Sequence, residues 1–212
     1  MKPSPEIEQY ILGHIDREDD LLKSLDRETH FKVINHRMIS GHLQGHFFTI
    51  LTRLLQPANI LEIGTLTGYS AICLARGLPP GGKLITIEID DELEEISRAY
   101  FTKAGLADKI IALTGNALEI IPTLRETFDM VLIDAHKAEY IAYYNLVFDK
   151  VRPGGLIIAD NTLWGGKVVE EGVISDHQTR GILDFNEFVS NDQRVEKVIL
   201  PFRDGMTLIR KK

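Results

Sequence analysis

Two short segments of the chain carry the residue types of a metal-assisted proton-transfer site. Asp134 follows the apolar run Met130-Val131-Leu132-Ile133, with Lys137 three residues further on. Asp160 and Asn161 follow a second run, Leu156-Ile157-Ile158-Ala159. Two carboxylates and an amide oxygen make a hard, all-oxygen donor set that suits Mg²⁺, or another divalent cation such as Ca²⁺ or Mn²⁺, with water or substrate completing the coordination. A lysine beside such a cation has its ammonium form disfavoured and is fitted for general-base work. The cation itself acidifies a bound hydroxyl. Taken singly, an aspartate after a strand is a common helix cap and most lysines only solvate a surface. The combination at the ends of successive strands is what points to a site, because ligands of open α/β sheets bind outside the carboxyl ends of the strands.

A second constellation lies earlier. Glu62-Ile63-Gly64-Thr65-Leu66-Thr67-Gly68-Tyr69-Ser70 follows one apolar run and opens a helix, and Glu88 ends the next run, 20 positions after Gly68. Glycines there let the backbone turn sharply and approach a ligand, and an acidic residue at that spacing can accept both hydroxyls of a ribose. The dinucleotide fingerprint requires a second glycine where Leu66 stands, so a pyrophosphate is disfavoured. Glu62 suits the cationic amino-acid portion of a cofactor better than a diphosphate. A nucleoside cofactor at the switch point of the sheet is expected.

These residues need a scaffold, and the hydrophobic pattern supplies one. Ile60–Ile63, Leu84–Ile87, Ile110–Leu113, Met130–Ile133 and Leu156–Ala159 are short, apolar on both faces and largely β-branched, as doubly covered parallel strands should be. Helices are expected near 69–77, 91–104, 116–125, 138–150 and 178–190. The alternation predicts a doubly wound α/β sheet. Val195–Leu200 and Met206–Ile209 flank the turn signal Asp204-Gly205 and should form a C-terminal antiparallel hairpin. Ahead of the sheet, Ile7, Ile11, Leu12, Ile15, Leu21, Leu22 and Leu25 recur at helical spacing, as do Leu43, Phe47, Ile50, Leu51, Leu54 and Leu55 before Pro57.

Composition narrows the function classes. A chain of 212 residues fits a single domain, here expected over 1–212, with 1–56 as N-terminal helices covering the cofactor site and 57–212 as the α/β core. A net charge of −7, with no basic face, argues against nucleic-acid binding. One cysteine, Cys73, allows no internal disulfide and suits a reducing compartment. The opening Met1–Pro5 lacks the apolar run of a secretory signal and no stretch approaches the ~20 apolar residues of a membrane span, so a cytoplasmic protein without membrane association is expected.

The motifs resemble those of the cation-dependent O-methyltransferases, the family of caffeoyl-CoA and catechol O-methyltransferases, in its bacterial form. The likeness runs from about Leu21 to the C-terminus, about nine-tenths of the chain. The glycine-rich segment is similar to the family's Glu-Ile-Gly-Thr-x-Thr-Gly-Tyr-Ser. Asp134-Ala135-His136-Lys137-x-x-Tyr140 is similar to Asp-Ala-Asp-Lys-x-x-Tyr, Asp160-Asn161-Thr162-Leu163-Trp164 matches the next motif, and Pro201-x-x-Asp204-Gly205 resembles the terminal hairpin. The resemblance implies a class I S-adenosylmethionine-dependent methyltransferase fold, Rossmann-like, with seven strands, and transfer of a methyl group to a phenolic hydroxyl of a catechol-like or related small aromatic acceptor. By position it implies cofactor contacts from Ser40, Glu62, Gly64, Thr65, Ser70, Glu88, Ala117 and Asp134. Glu88 would take the ribose, Ser70 the methionine carboxylate, Ala117 the adenine edge, and Ser40 a place in a lid. It further implies metal ligation by Asp134, Asp160 and Asn161, Lys137 as catalytic base, and a homodimer.

Several positions depart from the family pattern. His136 replaces its second Asp, Gly165 follows Trp164 where plant members carry Asn, and the insertion that plant enzymes carry after the third strand is missing. Smaller catechols or flavonoid-like acceptors fit these differences. Three competing functions make distinct predictions: an NAD-dependent oxidoreductase would bind nicotinamide, a non-catalytic adenosyl-binding protein would bind without turnover, and a metal-independent methyltransferase would survive chelation. His42 and His46, four apart on one helix, and Cys73 are expected to be surface and packing residues respectively. Trp164, on a glycine-flanked loop after Asn161, is expected to wall the acceptor, and no chemistry is assigned to Tyr140, Tyr143 or Tyr144.

Overall fold

The apolar runs form the strands that their composition requires. In the computed structural model, which describes residues 4–170 and 176–212, β1 (Asn59–Ile63), β2 (Lys83–Glu88), β3 (Ile110–Thr114), β4 (Phe128–Ile133), β5 (Val151–Asp160), β6 (Val195–Leu200) and β7 (Met206–Lys211) form a sheet in the order β3-β2-β1-β4-β5-β7-β6. The β1–β2, β2–β3 and β4–β5 pairs are parallel, and β7 runs antiparallel to both β5 and β6. This is the expected mostly parallel sheet of seven strands, closed by a C-terminal hairpin. Ile60, Leu61 and Ile63 of β1, Met130–Ile133 of β4 and Ile157–Ala159 of β5 are all buried, as a sheet covered on both faces demands.

Eight α-helices accompany the strands among the described residues: α1 (Pro5–His14), α2 (Asp20–Lys32), α3 (Gly41–Leu55), α4 (Tyr69–Gly77), α5 (Glu94–Lys103), α6 (Ala117–Ile120), α7 (Tyr140–Phe148) and α8 (His177–Asn191). Three are shorter than the sequence pattern implied. Asp91–Leu93 forms a 3₁₀ turn ahead of α5, and α6 gives way to a 3₁₀ turn at Ile121–Thr123, where Pro122 supplies no amide to continue an α-helix. A 3₁₀ turn at Lys137–Glu139 likewise precedes α7. The starts of α2 and α8 are fixed by aspartate caps. Asp19 accepts the amides of Leu21 and Leu22, and Asp176 those of Gln178 and Thr179, satisfying donors that a helix leaves open. No helix among the described residues is long and apolar enough to cross a membrane.

By its internal contacts the chain falls into two compact units, divided between Asn116 and Ala117. In the first, Pro5–Asn116, α2 packs on α4 and α5, and α3 on α4. There α3 meets α4 through glycines: a Cβ on Gly45 would stand 2.6 Å from the Cys73 sulfur, and one on Gly77 2.5 Å from Thr52 Cβ. The Thr49 hydroxyl reaches the Cys73 carbonyl at 2.9 Å across the same seam. In the second unit, Ala117–Lys212, an aromatic cluster joins α7 to α8, with Phe185 edge-on to Tyr140 and Tyr144 at 5.3 and 6.2 Å between ring centroids. All three rings are fully buried, each contributing about 1.5–3 kcal/mol by area alone. The Phe202–Gly205 turn places Gly205 at φ 89 with its Cα against the backbone of Leu163, where a Cβ would lie 2.5 Å from the amide nitrogen.

Candidate active site

In the first unit the chemistry gathers on the turn after β1. Gly64 and Gly68 take φ of 99 and 92, and Leu66 between them is also left-handed at φ 49, a conformation that costs a branched side chain about 1–2 kcal/mol. Gly68 could be no other residue, because a Cβ there would stand 2.5 Å from the Phe101 ring. Glu62 is fully buried on β1 and accepts the Thr86 hydroxyl at 2.6 Å; Thr86 also bonds Thr65. Glu88, at the end of β2, holds the turn from the side. Its Oε2 accepts the amides of Thr65 and Leu66 at 3.0 and 2.7 Å, and its Oε1 those of Ile89 and Asp90 at 2.9 and 3.1 Å. The structure therefore brings Glu62, Gly64, Thr65 and Glu88 onto one turn. Ser70 is buried in the first turn of α4, and Ser40 is buried immediately before α3. The two carboxylates, Glu62 and Glu88, favour a ligand carrying positive charge over a phosphate.

In the second unit the register decides the geometry. Ile133 pairs with Ala159 across the parallel β4–β5 ladder, so Asp134 and Asp160 follow at the same level on neighbouring strands. Asp160 is buried and its Oδ1 accepts the amide of Asn161 at 2.7 Å; Asn161 takes φ 60, which asparagine tolerates better than most residues. Lys137 is buried in the 3₁₀ turn after β4. Its Nζ donates to Asp134 Oδ1 and to the Tyr140 hydroxyl, each at 2.8 Å. The Tyr140 hydroxyl is shared in turn between the carbonyls of Ile133 and Asp160 at 3.2 and 3.0 Å. Burial first, and then the negative charges of Asp134 and Asp160, push the Tyr140 phenol well above its ordinary range, so it remains a hydroxyl that can both donate and accept.

Tyr140 is thus a site residue to which its sequence context assigned no role, although its place three positions after Lys137 was visible. Gln178 and Thr179 were also missed. The Gln178 carbonyl oxygen accepts the Lys137 amide at 2.7 Å, and the Thr179 hydroxyl accepts the Trp164 indole N–H at 3.0 Å. Ala117 is buried at the start of α6, whereas His136, the departure from the family motif, is exposed.

Among the described residues no three His, Cys, Asp or Glu side chains come together as a metal-holding group. The expected ligand set contains only two such side chains, its third donor being the Asn161 amide. Carboxylates at two adjacent strand ends next to an amide oxygen have the donor chemistry of a hard divalent cation, so the residues present fit one. The other conspicuous side chains serve structure. His42 Nε2 bonds the Asp16 carbonyl at 2.7 Å and His46 pairs with the Asp16 carboxylate at 3.3 Å. Burial pushes the Cys73 thiol up to about 12, leaving it an inert packing residue.

The chain matches a family model described as O-methyltransferase over residues 13–212. It is 36% identical to a catechol O-methyltransferase of Niastella koreensis, covering 95% of both chains. It is equally 36% identical to caffeoyl-CoA O-methyltransferase 5 of Nicotiana tabacum, covering 96% of this chain and 90% of that one. Among solved structures, an O-methyltransferase of Streptomyces achromogenes in complex with S-adenosylmethionine superimposes with a TM-score of 0.89 at 31% identity, covering 98% of this chain and 96% of the other. One of Bacillus cereus with S-adenosylhomocysteine gives 0.88 at 30% identity, covering 98% and 97%. Matched by that model over residues 13–212 and 36% identical to each of these relatives, the chain belongs to the O-methyltransferase family, enzymes that draw their methyl group from S-adenosylmethionine.

Proposed function

We propose that this enzyme methylates a phenolic oxygen of a small catechol-like acceptor in a reaction that depends on a divalent cation. The observation that carries this reading is the buried Lys137 amine, held between Asp134 and Tyr140 at the strand end where Asp160 and Asn161 also lie. Glu62, Gly64, Thr65, Ser70 and Glu88 hold the cofactor together with Ser40, and the family resemblance adds Ala117 and Asp134 to its contacts. Glu88 takes the ribose hydroxyls by exchanging some of its present amide partners. Asp134, Asp160 and Asn161 would hold Mg²⁺ or a similar ion, which acidifies a phenol bound to it.

Lys137 accepts the phenolic proton, and Tyr140 and Asp134 keep its amine on station. S-adenosylmethionine, when bound, would supply the methyl group to the phenolate oxygen, the electron pair of the broken carbon–sulfur bond leaving with S-adenosylhomocysteine. Aligning the two partners supplies much of the acceleration. Trp164 walls the acceptor. A homodimer in the cytoplasm fits the same picture: α1 has no buried residue and exposes Ile7, Tyr10 and Leu12, and a ten-residue helix is marginal in water without a covering surface.

The test is methyl transfer from labelled S-adenosylmethionine to a panel of catechols and monophenols, with Mg²⁺ and with EDTA. Transfer to vicinal diols alone, abolished by EDTA, is the expected result. Transfer that survives exhaustive chelation would reject the cation, and transfer to monophenols as readily as to diols would reject the catechol geometry.

A further inference from the structure

The start of α8 touches two functional elements through adjacent residues. Gln178 accepts the backbone amide of Lys137 at 2.7 Å, and Thr179 accepts the indole N–H of Trp164 at 3.0 Å. Both belong to the turn capped by Asp176, whose Oδ1 takes the Gln178 and Thr179 amides at 2.9 and 3.3 Å. Its Oδ2 takes the Thr179 hydroxyl and pairs with Lys167 at 3.4 Å. Lys167 lies 5.8 Å from the Trp164 ring centroid. One helical turn on, Gly181 seats α8 on the same backbone, and a Cβ there would fall 2.5 Å from the Lys137 carbonyl oxygen and from Ala138 Cα. A hydrogen-bonded turn moves as a unit, so a shift that carries Thr179 with Trp164 carries Gln178 with Lys137.

We propose that Gln178 and Thr179 are positioning residues that couple the Trp164 loop to Lys137, so that the fit of the acceptor against the tryptophan sets the placement of the amine. This rests on Lys137 being the base and Trp164 facing the acceptor. Gln178 and Thr179 act through those two residues and need touch no substrate. An acceptor that seats Trp164 correctly gains turnover, and one that does not loses kcat more than affinity.

Trp164 is the one tryptophan of the chain, so its emission reports this loop alone. The test uses Gln178→Ala, Gln178→Glu and Thr179→Val in the full-length enzyme, with far-UV circular dichroism and S-adenosylmethionine affinity verifying each fold. Gln178→Ala removes a bond to Lys137 and none to Trp164, yet should shift the Trp164 emission and lower kcat about three- to tenfold, the usual worth of one such bond. Thr179→Val removes the bonds of its hydroxyl to Trp164 and Asp176 and none to Lys137, yet should lower kcat severalfold with KM for S-adenosylmethionine unchanged. Gln178→Glu, which still offers an acceptor oxygen to the Lys137 amide, should recover most of the activity. The double variant should lose less than the product of the two single losses.

Unaltered Trp164 emission in Gln178→Ala, or losses that multiply independently, would overturn the coupling. If Lys137→Ala keeps full turnover, the base assignment fails instead, and the emission response of Gln178→Ala still decides the coupling on its own.

Discussion

The two units hold their charged groups by different means. In the first, Glu88 is fixed by four backbone amides and Glu62 by the hydroxyl of a neighbouring strand, so the proposed cofactor side is held largely by the main chain. In the second, Lys137 is fixed mainly by other side chains, Asp134, Tyr140 and Gln178. Backbone clasps survive most sequence change, whereas side-chain clasps can be rewritten one residue at a time.

The largest test of this contrast is Lys137→Ala. Turnover should fall about a hundredfold or more, the range of general-base catalysis, while calorimetry finds S-adenosylmethionine affinity within twofold of the wild type. A parallel loss of affinity would mean that the two sides are not separately built. Glu88→Ala makes the reciprocal test. Losing charge-assisted bonds worth about 1.5–3 kcal/mol should weaken S-adenosylmethionine binding roughly ten- to hundredfold, and unchanged affinity would remove Glu88 from the ribose site.

Gly68→Ala probes the main-chain basis of the cofactor side. With φ 92 and Phe101 in the way, it should cost about 2–3 kcal/mol of stability by denaturant titration, and a neutral result would show that the turn can relax. The smallest effect belongs to Asp19, the cap of α2. Burial alone would raise its carboxyl, but the Arg76 hydrogen bond and the amides of Leu22 and Leu21 outweigh it and hold the group below its ordinary value of 3.8. A depressed folded value means that the cap stabilises fully above the unfolded carboxyl range and is lost as pH falls through the folded one. Asp19→Ala should therefore cost about 1 kcal/mol near neutrality, and its deficit in melting temperature should close in acid. A gap independent of pH would assign the cap no electrostatic part.

Much of the scaffold was legible because a doubly covered strand has few ways to be written. Ile60–Ile63 or Met130–Ile133 can be little else. The Glu62–Ser70 segment and Glu88 were legible for a related reason, since a sharp turn and a ribose-spaced carboxylate constrain residue type at fixed positions. Helix ends were less so. The break at Pro122 was written in the sequence, yet the 3₁₀ turns at Asp91 and Lys137 depend on how each helix docks.

Gln178 and Thr179 gave no signal at all. They are ordinary polar residues 41 and 15 positions from their partners, and only the folding of α8 onto the Lys137 turn gives them a role. The division of contacts between Asn116 and Ala117 was equally silent, because it falls within Gly115-Asn116-Ala117 rather than in a compositionally distinct linker.

Gly181 has a consequence for anyone who would redirect the enzyme to another acceptor. It is the fulcrum on which α8 rests, with no room for even a methyl group above the Lys137 carbonyl. A combinatorial library aimed at new substrates can range over the exposed face of α8. Diversity spent at position 181 would be wasted on proteins whose Lys137 has lost its seat.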